Sequence, residues 1–199
     1  MPDCRLQRVR SEELDDGQEA CRRFDRTQSP MTFHLRVAHE TDTRALAELH
    51  VHTFNETHRG GRPSGPSYEL RERQWRERFE LNDGSWFCYV IEADDGALVG
   101  FAMGAPHDGG MPEYEGELSM IYVLQRVHRQ GLGRRLLCAV AARLVEAGVT
   151  SMRLFGEATN PSNGFYEWFG AERLYTEAGE FHGAYGWRDL RVLVERCKG

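Results

Sequence analysis

Residues 117–148, ELSMIYVLQRVHRQGLGRRLLCAVAARLVEAG, narrow what this chain can fold into more than any other stretch. Residues 118–124 are apolar and rich in strand formers, so they read as a buried strand. A polar, basic turn follows over residues 125–130. Gly131-Leu132-Gly133 then opens a segment in which Leu132, Leu136, Leu137, Val140, Ala141, Leu144 and Val145 recur at helical spacing. Gly148 comes after the last of them, where a helix C′ glycine belongs. The order is strand, tight basic turn, glycine pair, helix.

Such a junction suits an anion. A helix N-terminus carries unpaired N–H groups and the positive end of the macrodipole. Glycines at its mouth let a phosphate approach the backbone, and Arg129, Arg134 and Arg135 can add charge. Three readings compete. A P-loop needs GxxxxGK[ST], and the only lysine in the chain is Lys198. A dinucleotide site needs GxGxxG directly after the strand. Here Leu136 holds the third glycine position and six residues separate strand from glycine, with Glu157 as the acidic ribose partner. The third reading is a glycine pair that only tightens a turn.

A resemblance separates them. LSMIYVLQRVHRQGLGRRLL is similar to motif A of the GNAT superfamily of N-acetyltransferases, where [RQ]-x-x-G-x-[GA] follows the fourth strand and opens the third helix. The matching residues are His128, Arg129, Gln130, Gly131, Leu132 and Gly133. His128 departs from the usual Arg or Gln, and Gln125 from a usual proline. A second block, Asn160-Pro-Ser-Asn-Gly-Phe-Tyr-Glu-Trp-Phe-Gly170, resembles the family's asparagine-led block ending in F-Y-x-x-x-G, with Asn163 where a small residue is usual. The resemblance extends over about residues 31–195. It implies a mixed, mostly antiparallel α/β sheet of about six to seven strands flanked by about four helices. It also implies acetyl-CoA as cosubstrate, with no metal.

Composition sets outer bounds. The chain, at 199 residues, fits one domain with a substantial core. Residues 1–30 are densely charged and aperiodic, which predicts a flexible or loosely docked extension with a short helix over 11–24. Residues 31–199 form the domain proper. No apolar run approaches the ~20 residues of a membrane helix, and no signal-peptide pattern opens the chain. Five scattered cysteines without a CxxC pair fit a reducing compartment, hence a cytoplasmic protein. A net charge of −6 argues against nucleic acid and favours a cationic acceptor. Membrane partners are not expected either.

Residues 33–37 alternate as a first strand, and Thr41 or Asp42 caps a helix over 43–54. Residues 55–67 are rich in glycine and proline and predict a mobile loop, with a charged helix over 68–81 beyond it. In the resemblance these two helices wall the acceptor site. Strands follow over 86–92 and 97–104, joined at Asp95-Gly96, a strong hairpin signal. A loop over 105–116 delivers Glu113 and Glu115. Residues 151–157, 171–177 and 184–195 complete the expected strands. Cys88 and Cys138 sit in apolar runs as core residues. His50, His52 and His58 lack metal-ligand spacing and read as surface histidines.

Acyl transfer to an amine needs a held donor, a neutral amine, a stabilised oxyanion and a proton for the thiolate. Following the resemblance, Ile121, Tyr122 and Val123 lie along the pantetheine arm. His128, Arg129, Gln130, Gly131, Leu132, Gly133 and Arg134 take the pyrophosphate. Tyr166 is the general acid; its competing reading is an aromatic core residue beside Phe165 and Phe169. Asn160 is a cofactor contact or, before Pro161, a helix N-cap. Glu117 is the candidate base, in competition with a solvent-facing rim role and with Glu113, Glu115, Glu157 and His182. The acceptor is a small amine or a peptide N-terminus, and a homodimer is the family's expectation. Rival readings are transfer of another acyl group or to oxygen, and a catalytically silent CoA-binding module.

Overall fold

The computed structural model describes residues 31–58, 65–81, 83–106 and 113–199. The predicted extension with its helix over 11–24, residues 59–64 of the predicted loop over 55–67, and residues 107–112 of that over 105–116 lie outside them. The elements run β1 (Phe33–Val37), α1 (Thr43–His58), α2 (Tyr68–Glu80), β2 (Phe87–Ala93), β3 (Leu98–Pro106) and β4 (Gly116–Val123). Then come α3 (Leu132–Glu146), β5 (Met152–Phe155), α4 (Asn163–Trp168), β6 (Glu172–Tyr175), β7 (Phe181–Trp187) and α5 (Leu190–Arg196). The strands form one sheet in the order β1-β2-β3-β4-β5-β7-β6. Every pairing is antiparallel except β4 with β5. The expected mixed, mostly antiparallel sheet is borne out.

Alternation along the strands assigns the layers. Phe101 and Tyr122 stack on His50 of α1, at centroid distances of 5.3 Å each. Their neighbours on the opposite face meet α3. A Cβ added to Gly104 would lie 2.8 Å from Val140 Cγ1 of α3 and 2.7 Å from the Phe87 ring. Glycine at that position lets α3 settle directly onto the sheet. The helical periodicity read from the sequence is the buried face: Leu132, Leu136, Leu137, Val140, Ala141 and Leu144 are all inside. Burial of each leucine or valine among them contributes about 1.5–3 kcal/mol.

Three expectations are corrected. The final strand over 184–195 is instead β7 followed by α5. Asp189 accepts a hydrogen bond from Arg191 N–H at 2.9 Å and caps the helix, which buries Leu190 and Leu193 at helical spacing. The first helix runs to His58, and within it Thr53 and Thr57 donate back to the carbonyls of Leu49 and Thr53. Cys138 does not stay a single core cysteine: it is bonded to Cys197, 59 residues away, and ties α5 to α3. Cysteine usage therefore no longer supports a reducing compartment. Cys88 is free and buried, as expected.

His50 is also misread by the sequence. It is 3% exposed, wedged between Trp75, Phe101 and Tyr122. Burial, then the positive charges of Arg71 and Arg78, push its pKa down to about 3.

Two stability predictions follow from these contacts. Reducing Cys138–Cys197 is expected to lower the unfolding free energy by roughly 2–4 kcal/mol, since the bond closes a long loop in the unfolded chain. Denaturant midpoints with and without a phosphine reductant check this, and coincident midpoints would mean that the bond does not form in solution. For His50, the unfolded state regains the ordinary value of 6.5 and binds a proton that the folded state refuses. Stability is therefore expected to fall as pH drops from about 6.5 towards 3. His50→Leu should flatten that part of the curve, and an unchanged slope would assign it to other groups.

Candidate active site

The site begins where the sheet comes apart. β5 pairs with β4 only at Gly116↔Met152 and Glu117↔Arg153, although β4 continues to Val123. On its other side β4 stays paired with β3 through Ile121↔Ala102, Tyr122↔Phe101 and Val123↔Gly100. No described strand pairs with the remaining edge, from Leu118 to Val123. Those of its N–H and C=O groups that do not serve β3 face a ligand laid alongside, apart from the Val123 carbonyl, which His128 contacts.

Beyond this edge lies the turn. Gln125–Val127 is one turn of 3₁₀-helix, with Val127 buried as its anchor. The N–H of Gln125 donates to a Glu56 carboxylate oxygen at 3.0 Å, and His128 Nε2 lies 2.9 Å from the Val123 carbonyl oxygen. His128 thus latches the turn to the end of β4, a job that fits its place in the motif. Arg129 and Gly131 both adopt positive φ, 64° and 76°. Left-handed residues in such a turn point successive N–H groups into one concavity, an anion nest. Gly131 is the N-cap of α3 and has no side chain to cap it. The first intrahelical bond runs from Arg135 N–H to its carbonyl. That leaves the N–H groups of Leu132, Gly133 and Arg134 facing the nest without helical partners.

The arginines behave differently from expectation. Arg134 donates to the Cys197 carbonyl at 2.8 Å, and Arg135 to the Phe33 carbonyl at 2.8 Å. Their guanidinium groups are tethered to α5 and β1, Arg129 is exposed, and backbone dipoles point into the nest.

Tyr166 projects from α4 and is 7% exposed. It packs on Phe165, Tyr185 and Trp187 with centroids 5.4, 5.5 and 6.4 Å away. No described residue hydrogen-bonds its hydroxyl. Desolvation, then the neighbouring Tyr122 and Tyr185, push its pKa up to about 12, so the proton stays on at neutral pH. Asn160 is not the N-cap: that position is Ser162, whose N–H donates to Asn160 Oδ1 at 2.9 Å. Asn160 shapes the turn into α4. The unusual Asn163 fills its motif position by donating to the carbonyls of Glu157 and Ala158, at 3.0 and 2.9 Å.

The carboxylates sort themselves by their partners. Glu115 accepts from Thr150 N–H and Oγ1, Glu113 faces Arg188, and Glu180 faces His182 on the outer hairpin. These three are engaged in structure. Glu117 lies at the last rung of the β4–β5 pairing, 3.5 Å from Nε of the buried Arg153. It is therefore not a lone carboxylate on an apolar strand. Sequence reading missed Arg153; the signal was a charged residue inside the apolar run of β5. Glu157 follows β5 and acts electrostatically on the Tyr122 hydroxyl. Tyr122 itself is held by desolvation in its protonated form, and Arg71 of α2 lies within electrostatic reach of it. Among the described residues no cluster of His, Cys, Asp and Glu could hold a metal.

An open strand edge, an anion nest and a buried tyrosine thus converge from β4, α3 and α4. A family model described as the acetyltransferase (GNAT) family matches residues 44–171. The chain belongs to this family. It is 30% identical over 169 residues to YuaI of Bacillus subtilis (strain 168), an uncharacterized N-acetyltransferase, covering 80% of this chain and 95% of that one. The PaiA N-acetyltransferase of Thermoplasma acidophilum, solved with coenzyme A, matches with a TM-score of 0.57 at 18% identity, over 78% of this chain and 98% of that one. YncA of Salmonella typhimurium, solved with acetyl-CoA, matches at 0.56 and 20%, over 79% and 92%. Both structures share the GNAT fold of this chain.

In this GNAT domain, a glutamate at position 131 would bring a negative charge and a strained positive φ to the nest. Gly131→Glu is expected to weaken coenzyme A binding by about a hundredfold or more. Calorimetric titration checks it, and retained affinity would move the anion site elsewhere.

Proposed function

We propose that the protein transfers an acetyl group from acetyl-CoA directly to an amine within a ternary complex. The observation that carries this reading is the unpaired edge of β4, with the nest at 128–133 beyond its end and the buried Tyr166 within electrostatic reach of Tyr122 on that strand. The pyrophosphate would be bound by the amides of residues 129–134, with His128 and Gln130 shaping the turn around it. The pantetheine arm would pair with the backbone of Ile121 and Val123 beside Tyr122, extending the sheet by one more strand. Such pairing aligns the thioester for attack.

The chemistry balances simply. The neutral amine nitrogen forms a C–N bond to the thioester carbonyl, and a backbone N–H of β4 stabilises the oxyanion. Collapse breaks the C–S bond; Tyr166 gives its proton to the departing thiolate, and the amide nitrogen loses a proton to a base. Glu117 is the carboxylate on β4 at the fork, and its tie to Arg153 fixes its position. Glu157 is the alternative on the β5 side. Dependence on acetyl-CoA supports a cytoplasmic setting, while the Cys138–Cys197 bond speaks the other way.

Titration with acetyl-CoA, CoA and NAD tests the donor. Binding of the two CoA species with no NAD response is expected, and a preference for NAD would sink the reading. Tyr166→Phe is expected to reduce kcat by about a hundredfold while leaving acetyl-CoA affinity within about twofold. An unchanged rate would return Tyr166 to the aromatic core.

A further inference from the structure

The inner face of α2 carries an arginine that the protein itself leaves only partly satisfied. Arg71 stands four residues before Trp75 and seven before Arg78, so the three share the face turned towards α1 and the sheet. Trp75 is buried and both arginines are half-buried. Their surroundings differ. Arg78 lies over the rings of Trp75 and Trp86, at 5.6 and 5.9 Å, and contacts Met103 Sδ, so its charge rests on π faces and a thioether. Arg71 lies 5.9 Å from the Phe54 ring and donates once, from Nη1 to Gln74 Oε1 at 2.8 Å. Its Nε is buried and has no hydrogen-bond partner among the described residues.

Four described carboxylates of α1 and α2 are committed elsewhere. Glu56 of α1 accepts from Gln125 N–H and faces His52. Glu72 of α2 binds Arg76 at 2.9 Å, and Glu77 faces Arg73. Glu69 accepts from Ser67 and its own backbone at the helix start. On the sheet side, Arg71 looks towards Tyr122 and His50, both uncharged at neutral pH. Desolvation already lowers the Arg71 pKa, the direction taken by a buried cation without a counter-charge. A guanidinium in such a place is a planar fork of donors matched to a carboxylate.

We propose that Arg71 is a specificity-determining residue that seats a carboxylate of the acceptor, making the acceptor class an amine that also bears a carboxylate. Its amine then reaches past Tyr122 to the open edge of β4. The proposal rests on the acetyl-transfer reading. The carboxylate makes and breaks no bond: nitrogen gains the acetyl carbon and loses a proton, and sulfur loses the acetyl carbon and gains one.

The test uses the full chain with saturating acetyl-CoA and reads thiol release. The panel is the twenty standard amino acids, β-alanine and 4-aminobutanoate, each beside its carboxamide. The expected result is that one or more carboxylates are acetylated with a kcat/KM about tenfold or more above the matched amide. Arg71→Gln is expected to erase that ratio through KM, leaving kcat and the acetyl-CoA Kd within about twofold, and Arg71→Lys to keep part of it. If Arg71→Gln fails to fold by circular dichroism, the Lys variant carries the same comparison. Equal rates across every pair, turnover confined to the amides, or no turnover while acetyl-CoA binds would overturn the role of Arg71 and leave the family chemistry standing. Absence of acetyl-CoA binding would overturn the acetyl-transfer reading together with it.

Discussion

The candidate site depends on one interruption of hydrogen bonding. β4 and β5 share two rungs, Gly116↔Met152 and Glu117↔Arg153, and then separate while β4 runs on for six more residues. Unpaired backbone inside a sheet is normally filled, because each orphan group costs a hydrogen bond's worth of desolvation. The gap therefore has to be held open by the parts around it. The register shift of β3 between Met103 and Gly104 turns β4 at the level where the separation begins. Arg153 and Glu117 sit on the last rung, and a buried guanidinium needs its carboxylate. Any substitution at Glu117 thus disturbs the fork as well as the proposed proton transfer, so activity alone does not isolate its role.

The nest depends on the same opening. Val123 ends β4, His128 reaches back to its carbonyl, and the chain between them turns through a single 3₁₀ step onto α3. α3 is fixed from below by its six buried apolar residues and by the absence of a side chain at Gly104. Its flank is held by the Cys138–Cys197 bond and by Arg134 on the Cys197 carbonyl. The helix that presents the amides is therefore rigidly seated, which is what a backbone-based anion site requires. That rigidity comes from side chains packed or bonded on the flanks of α3.

What the sequence disclosed and what it hid follow from the range of the interactions. The strand–turn–helix junction was legible because a period of 3.6 across α3 and a glycine N-cap are local signals. The hairpin at Asp95-Gly96 was legible for the same reason. The C-terminal helix was misread as a strand because Leu190-Arg-Val-Leu-Val194 fits both periods, and only packing against α3 chooses between them. The pairing of Cys138 with Cys197 and of Glu117 with Arg153, and the burial of His50 against Trp75, join residues far apart in the chain. No window of neighbouring residues contains them. Within the site, the catalytic candidates were legible as motif positions. Their partners were not.

Charge shows the same division between global and local. A net charge of −6 favours cations approaching from solution, and that average was the ground for expecting a cationic acceptor. Beyond about 10 Å, however, exposed charges are largely screened, whereas a desolvated group acts on whatever touches it with little competition from water. The wall formed by α1 and α2 turns Arg71 and Arg78 inwards, while Glu77 and Glu72 of α2 are paired with Arg73 and Arg76. The surface average thus says little about the local charge at Arg71, and the proposed recognition rests on that local charge. An amine with a carboxylate satisfies both: its cationic end is drawn by the acidic exterior and its anionic end matches the guanidinium within.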